Sequence, residues 1–137
     1  MYLGHIVTSK GIRADPKKIE AVKSMPAPTK VKQLRSFLGF CNYYRKFIKN
    51  YYLHTNKLYE LLNNFKWTDE ANGVFEHLKD ILSRLPMLSY PDYQKPFLVS
   101  TDASEDGIGA VLSKKDEQGE ESVIQFISRT LQPAEKK

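Results

Sequence analysis

The sequence predicts an α+β fold in which a short β-hairpin and a helical region precede a three-stranded antiparallel sheet. Between residues 15 and 85, apolar residues recur at spacings of three, four and seven, which is typical of amphipathic helices. After residue 96 the apolar residues form short runs separated by polar turns, which is typical of strands. Three prolines between Pro86 and Pro96 mark the change from one pattern to the other.

The N-terminal 14 residues have the pattern of a hairpin. The run from Tyr2 to Val7 favours a strand, residues 8–11 end in a glycine and favour a turn, and Ile12 to Ala14 resumes an extended stretch.

Residues 15–66 predict helices. Asp15 followed by Pro16 is a strong helix start, because Asp caps free backbone N–H groups and Pro fits the first turn. Thr29 is a candidate cap for a second, amphipathic helix with an apolar stripe from Val31 to Ile48. The opposite face of this helix is basic and carries Lys32, Arg35, Arg45, Lys46 and Lys49. A shorter helix is expected over residues 56–63.

The sequence of residues 67–95 predicts one more helix, followed by an extended linker. Thr68 is the expected cap, and Asp69 and Glu70 suit the positive end of the helix dipole. Strands are then expected over residues 97–101, 107–113 and 123–129, with Asp102 at the end of the first strand.

Composition excludes several classes of protein. The chain has 137 residues, of which 27% are charged and 41% hydrophobic, a globular balance. No apolar run is long enough to span a membrane, and the N-terminus does not resemble a signal peptide. A single cysteine, Cys41, excludes an internal disulfide and a multi-cysteine zinc site. We therefore expect an intracellular protein of the cytoplasm or nucleus that is neither secreted nor membrane-bound.

Charge is distributed unevenly along the chain. Residues 1–66 contain 13 Lys and Arg against 3 acidic residues, a balance of +10, and residues 67–137 contain 8 against 13, a balance of −5. A basic half with interleaved aromatic residues predicts contact with a polyanion, and nucleic acid is the candidate.

Four blocks of residues carry a resemblance to the Pol polyprotein of Gypsy-type long-terminal-repeat retrotransposons. They are Tyr2-Leu3-Gly4-His5-Ile6-Val7; Leu34-Arg35-Ser36-Phe37-Leu38-Gly39 with Asn42-Tyr43-Tyr44-Arg45-Lys46-Phe47-Ile48; Trp67-Thr68 to Leu78-Lys79; and Thr101-Asp102-Ala103-Ser104 with Gly107-Ile108-Gly109. Together they cover nearly the whole chain. The resemblance implies a primer-grip-like hairpin at 1–14, a thumb-like helical region at 15–66, a connection helix and linker at 67–95, and an incomplete ribonuclease H-like domain at 96–137.

The same resemblance implies site residues. It assigns contact with the backbone of an RNA–DNA or DNA duplex to Gly4, His5, Lys32, Arg35, Arg45, Lys46 and Lys49. It assigns to Asp102 the role of a catalytic metal ligand in the ribonuclease H domain of the parent enzyme, with Mg²⁺ as the cofactor. Two-metal catalysis requires several convergent carboxylates, because hard cations demand oxygen ligands.

The sequence also departs from the family. No Tyr-x-Asp-Asp occurs, so the polymerase aspartates are missing, and most of the ribonuclease H ligands are missing as well. We therefore expect a fragment of a reverse transcriptase/ribonuclease H protein that is inactive alone and binds no metal stably. It would retain at most non-specific binding of a primer–template duplex, beside the rest of the polyprotein if that is present.

A different class of function is a host-encoded remnant that acts as a protein interaction module. In that case the apolar strands, lacking a covering helix, would be the sticky surface. Other chemistries have little support in the sequence. The three histidines, His5, His54 and His77, share no spacing that suggests a metal site, and no serine or cysteine lies in a nucleophile motif.

Overall fold

The computed structural model describes residues 4–103, 107–115 and 118–130, except for the side chain of Thr130. The first three residues of the predicted hairpin and the last seven of the predicted sheet region lie outside these ranges. The described residues form four α-helices, a two-stranded hairpin and a three-stranded antiparallel sheet, so the predicted α+β class is confirmed.

The N-terminal hairpin consists of β1 (His5–Val7) and β2 (Ile12–Ala14), paired antiparallel with Val7 opposite Ile12. The turn between them is closed by the Thr8 backbone N–H, which donates to the Gly11 carbonyl at 2.9 Å. The predicted hairpin is therefore confirmed.

The first two helices are α1 (Pro16–Lys23) and α2 (Val31–Tyr43). The Asp15 carboxylate accepts from the Lys17 backbone N–H at 3.1 Å, as expected for the cap of α1. The prediction that Thr29 caps α2 is wrong, because the residue at the cap position is Lys30. Thr29 lies one residue too early, and its N–H and hydroxyl donate to the Gln33 side chain instead.

The amphipathic helix expected to continue to Ile48 ends at Tyr43. A 3-10 turn (Arg45–Phe47) follows, and Asn50 then takes a left-handed conformation with φ of 54°. Asn tolerates this conformation better than most residues with a side chain. The chain redirects there into α3 (Tyr51–Glu60), which begins five residues before the helix predicted over residues 56–63.

Helix α4 (Asp69–Leu82) follows and packs against α3. The Thr68 hydroxyl accepts from the Ala71 backbone N–H at 3.0 Å, which confirms the predicted cap. The Lys57 ammonium lies 3.0 Å from the Glu70 carboxylate and joins the two helices at their exposed edge.

The sheet consists of β3 (Phe97–Ala103), β4 (Gly107–Lys115) and β5 (Glu121–Thr130), with β4 in the centre. Asp102 is the penultimate residue of β3, close to the strand end where it was expected, and it lies opposite Gly109 of β4. The strands β4 and β5 contact α3, and β5 also contacts the 3-10 turn. The helical region therefore covers the sheet at β4 and β5, contrary to the expectation that the strands lack a covering helix.

The linker before the sheet is extended, as predicted, and it is also paired. Leu88 exchanges two backbone hydrogen bonds of 2.8 Å with Ile12 of β2, and the Ser89 N–H donates to the Val123 carbonyl of β5 at 2.8 Å. The linker thus connects the hairpin to the sheet.

The main core lies among the helices, where the fully buried side chains include those of Leu34, Phe37, Leu58, Phe75 and Leu78. Within the described ranges, no helix combines the length and the apolar character needed to cross a membrane.

Candidate nucleic-acid interface

Helix α2 presents one solvent-facing side above this core. Its exposed residues recur at spacings of three, four and seven, so their side chains leave the same side of the helix. They are Lys32, Gln33, Arg35, Ser36, Gly39, Asn42 and Tyr43. At 1.5 Å per residue, this side extends for roughly 16 Å between Lys32 and Tyr43. Two of the predicted cations, Lys32 and Arg35, therefore lie on one open surface, which we call the α2 face.

Gly39 is a feature of the α2 face that sequence reasoning missed. A glycine in a helix interior costs about 1 kcal/mol relative to alanine. Here the described residues give no steric reason for it, because outside the backbone of its own helix none of their atoms would lie within 4 Å of a Cβ atom at Gly39. Because Gly39 has no side chain, the helix backbone is accessible between Tyr43 and the cations Lys32 and Arg35. An isolated glycine inside an otherwise clear helical pattern is the signal that would have identified it.

Tyr43 supplies an exposed aromatic ring at the end of the α2 face, with 47% of its surface accessible. His5 lies beneath it, with ring centroids 5.2 Å apart and an interplanar angle of 28°. His5 also stacks on Phe47, with ring centroids 5.6 Å apart. Because His5 is itself buried, it acts on the surface by supporting Tyr43.

Gly4 joins the hairpin to α2 through its carbonyl, which accepts from the Tyr44 hydroxyl at 2.7 Å. Burial raises the pKa of Tyr44, and Tyr43 and Asp15 act in the same direction, so this hydroxyl stays protonated and donating. Gly4 has φ of +82°, a conformation that side chains disfavour, and a Cβ atom there would lie 3.1 Å from the Tyr44 oxygen.

A cleft of about 530 Å³ lies between the hairpin and α2. It is lined by Gly4, Lys18, Ser36, Phe40, Tyr43 and Tyr44. The cleft therefore opens beside the α2 face, and Lys18 adds a cation from α1.

The other three predicted cations lie away from α2, because the helix ends before them. Arg45 and Lys46 are in the 3-10 turn, and Lys49 precedes the left-handed Asn50. The Lys46 ammonium lies 5.8 Å from the centre of the Phe47 ring. The structure thus divides the five predicted basic residues into two groups, one on α2 and one at the junction with the sheet.

Asp102 lies on an exposed edge strand of the described sheet. Because Asp102 pairs directly with Gly109, the Asp102 side chain projects from the sheet face on which a Gly109 side chain would lie. At Gly109, the Asn50 side-chain oxygen occupies the space that a Cβ atom would need. Among the described residues, no group of three His, Cys, Asp or Glu side chains could hold a metal ion. The described residues therefore do not fit a two-metal centre.

The chain is similar to a protein family and to several known proteins. Residues 67–137 match the model of a family described as the RNase H-like domain found in reverse transcriptase. The chain is 44% identical to the retrovirus-related Pol polyprotein from transposon opus of Drosophila melanogaster, over 98% of this chain and 15% of that protein. It is 37% identical to the corresponding polyprotein from transposon gypsy of the same organism, over 98% of this chain and 14% of that one.

The fold also matches solved structures. The foamy viral protease-reverse transcriptase in complex with dsDNA superimposes with a TM-score of 0.86 and 25% identity, over 100% of this chain and 29% of that chain. The chain therefore spans a minor part of the length of each of these relatives.

Proposed function

The chain belongs to the RNase H-like domain family found in reverse transcriptases, and we propose that it contributes a duplex-binding surface centred on the α2 face. It corresponds to the reverse transcriptase/ribonuclease H region of a retrotransposon Pol polyprotein of the Gypsy type. The ligand is the backbone of an RNA–DNA or DNA duplex, bound without regard to sequence.

The observation that carries this proposal is the composition of the α2 face. Lys32 and Arg35 supply positive charge for phosphates, and phosphate contacts provide most of the affinity in non-specific binding. Gly39 lets a second surface approach the helix backbone. The exposed ring of Tyr43 offers a flat apolar contact for a sugar at the end of the face.

In this proposal the second group of cations, Arg45, Lys46 and Lys49, adds a separate basic region at the junction with the sheet. Gly4 and His5 hold Tyr43 and Tyr44 in position from the hairpin. The dsDNA bound to the foamy viral relative supports a duplex as the ligand. The rest of the polyprotein is a further proposed partner, because the relatives extend well beyond the matched region.

Asp102 has a proposed role only in a complete ribonuclease H domain, as one ligand of a divalent ion. Mg²⁺ is the ion we propose, because carboxylate oxygens suit a hard cation. The remaining ligands would come from residues beyond those described.

The alternative, a host-encoded interaction module, is not favoured. The match to transposon Pol polyproteins covers 98% of the chain. In addition, α3 and the 3-10 turn cover β4 and β5, which form part of the sheet that was expected to be the interaction surface.

The test is fluorescence anisotropy of a labelled RNA–DNA duplex titrated with the chain at several salt concentrations. We expect affinity to fall steeply with salt, because binding releases counterions from the phosphates. The double variant Lys32→Ala/Arg35→Ala should flatten the dependence of log K on log salt by about 2.

The matched control is the double variant Lys10→Ala/Lys115→Ala. It removes the same charge from two exposed positions, one in the hairpin turn and one at the end of β4. Its salt dependence should stay close to that of the parent chain. If the salt dependence fell equally in both double variants, binding would depend only on the net charge of the chain. That result would contradict a binding surface centred on α2.

A further inference from the structure

His54 and His77 lie together, although nothing in their sequence spacing indicates it. His54 is on α3 and His77 is on α4, and their ring centroids are 5.4 Å apart with an interplanar angle of 48°. The sequence analysis found no shared spacing, because the two residues meet only when α3 and α4 pack.

The ion pair beside them fixes how the two helices align. Lys57 lies one turn after His54 on α3, and it pairs with Glu70, two turns before His77 on α4. The two helices thus run in opposite directions along a shared seam, which carries the ion pair at one point and the two imidazoles at the next. Gly73, one turn before His77, has nothing within 4 Å of a Cβ atom, so the seam is open to solvent there.

The Lys49 backbone is a hydrogen-bond partner of the His54 ring. A backbone carbonyl that accepts from one ring nitrogen leaves the other nitrogen with a free lone pair, which is the usual arrangement of a metal-binding histidine.

We propose that His54 and His77 together bind a divalent transition-metal ion of the Zn²⁺ class, with water completing its coordination. Zn–N bonds are about 2.0–2.1 Å, so two imidazoles on one tetrahedral ion have ring centres roughly 5 Å apart. The separation of 5.4 Å between the ring centres of His54 and His77 is close to this value.

The chemistry of the ligands selects the ion. Imidazole nitrogen suits Zn²⁺, Cu²⁺ and Ni²⁺, whereas Mg²⁺ prefers carboxylate and carbonyl oxygens. In the described part of the chain no third His, Cys, Asp or Glu completes the set. The site is therefore a moderate-affinity clamp between α3 and α4, and it does not depend on the duplex-binding proposal.

The test is thermal unfolding of the 137-residue chain with Zn²⁺, with Mg²⁺ and with a chelator. A ligand that binds only the folded state raises Tm, and we expect Zn²⁺ to raise it by about 3 °C or more while Mg²⁺ leaves it unchanged. The rise should disappear in His77→Gln. Because His77 is exposed, this variant keeps the core intact.

The matched control is Lys57→Ala/Glu70→Ala, which removes the neighbouring ion pair and keeps both imidazoles. Its starting Tm should be equal or slightly lower, and its response to Zn²⁺ should equal that of the parent. No response in the parent chain, or an undiminished response in His77→Gln, would overturn the proposal.

Discussion

Helix α2 and strand β3 both carry residues assigned to nucleic-acid chemistry, and they differ in how the chain supports them. Helix α2 buries Leu34, Phe37, Leu38 and Cys41 along one side and exposes its cations on the other. Strand β3 lies at an edge of the described sheet, where Asp102 is exposed and Val99 keeps 64% of its surface accessible.

The difference follows from what each task requires. Binding a phosphate backbone needs only positive charge on a supported surface, and one amphipathic helix over a core supplies both. Two-metal catalysis needs carboxylates that converge from several elements. Along the described residues, the first requirement is met on α2, while Asp102 has no such partners.

The largest expected effect concerns the core beneath α2. Replacing Phe37 with Ala removes a fully buried ring that lies 4.6 Å from that of Phe75. We expect this change to lower the free energy of unfolding by about 3–5 kcal/mol. The exposed Val99→Ala on β3 should change it by less than about 0.5 kcal/mol. Urea unfolding followed by circular dichroism measures both.

Similar losses in the free energy of unfolding for Phe37→Ala and Val99→Ala would contradict the difference in support between α2 and β3. A large loss in Val99→Ala would mean that β3 is covered by a part of the molecule outside the described residues. A small loss in Phe37→Ala would mean that the α2 face has no firm support.

An intermediate effect is expected where the sheet meets the helices. A Cβ atom at Gly107 would collide with the Tyr52 ring and the Arg129 carbonyl, whereas at Gly109 it would meet mainly the end of the Asn50 side chain. Overpacking costs about 1–3 kcal/mol, so Gly107→Ala should destabilise the chain by that amount. Gly109→Ala should cost less than about 1 kcal/mol, because a side-chain end moves aside more easily than a backbone carbonyl.

The same unfolding assay compares the two glycine variants. If Gly107→Ala were neutral, the sheet would not rest on α3 as described, and the two regions would be independent. A cost for Gly109→Ala as large as that for Gly107→Ala would show that Asn50 is held rigidly.

Local signals in the sequence were enough to predict most of the fold. Asp15 and Thr68 cap helices as expected, because capping depends on a few neighbouring residues. The break after Tyr43 was missed, because no proline or glycine lies between Tyr43 and the left-handed Asn50 that precedes α3. The cations Arg45 and Lys46 were consequently assigned to the wrong element.

The site was predicted less completely, because its key features depend on tertiary packing. The charge of Lys32 and Arg35 can be read from the sequence, but the empty space around Gly39 cannot. The burial of His5 beneath Tyr43 depends on where the hairpin docks. The pairing of His54 with His77 likewise requires the register of α3 against α4.

The measurement that tests the α2 face most directly compares two glycines with the same environment inside the chain. Gly39 on α2 and Gly73 on α4 are both in helix interiors. Outside the backbone of its own helix, neither has an atom of the described residues within 4 Å of a Cβ position. Glutamine is the better helix former at both sites, so Gly39→Gln and Gly73→Gln should each leave stability equal or slightly increased. Duplex affinity is then measured by anisotropy at one fixed salt concentration.

We predict that Gly39→Gln weakens duplex binding by about tenfold, or about 1.4 kcal/mol, because its side chain holds the duplex away from the helix. Gly73→Gln should bind like the parent chain. Unchanged binding in Gly39→Gln, or equal losses in both variants, would contradict a duplex that rests on the α2 face.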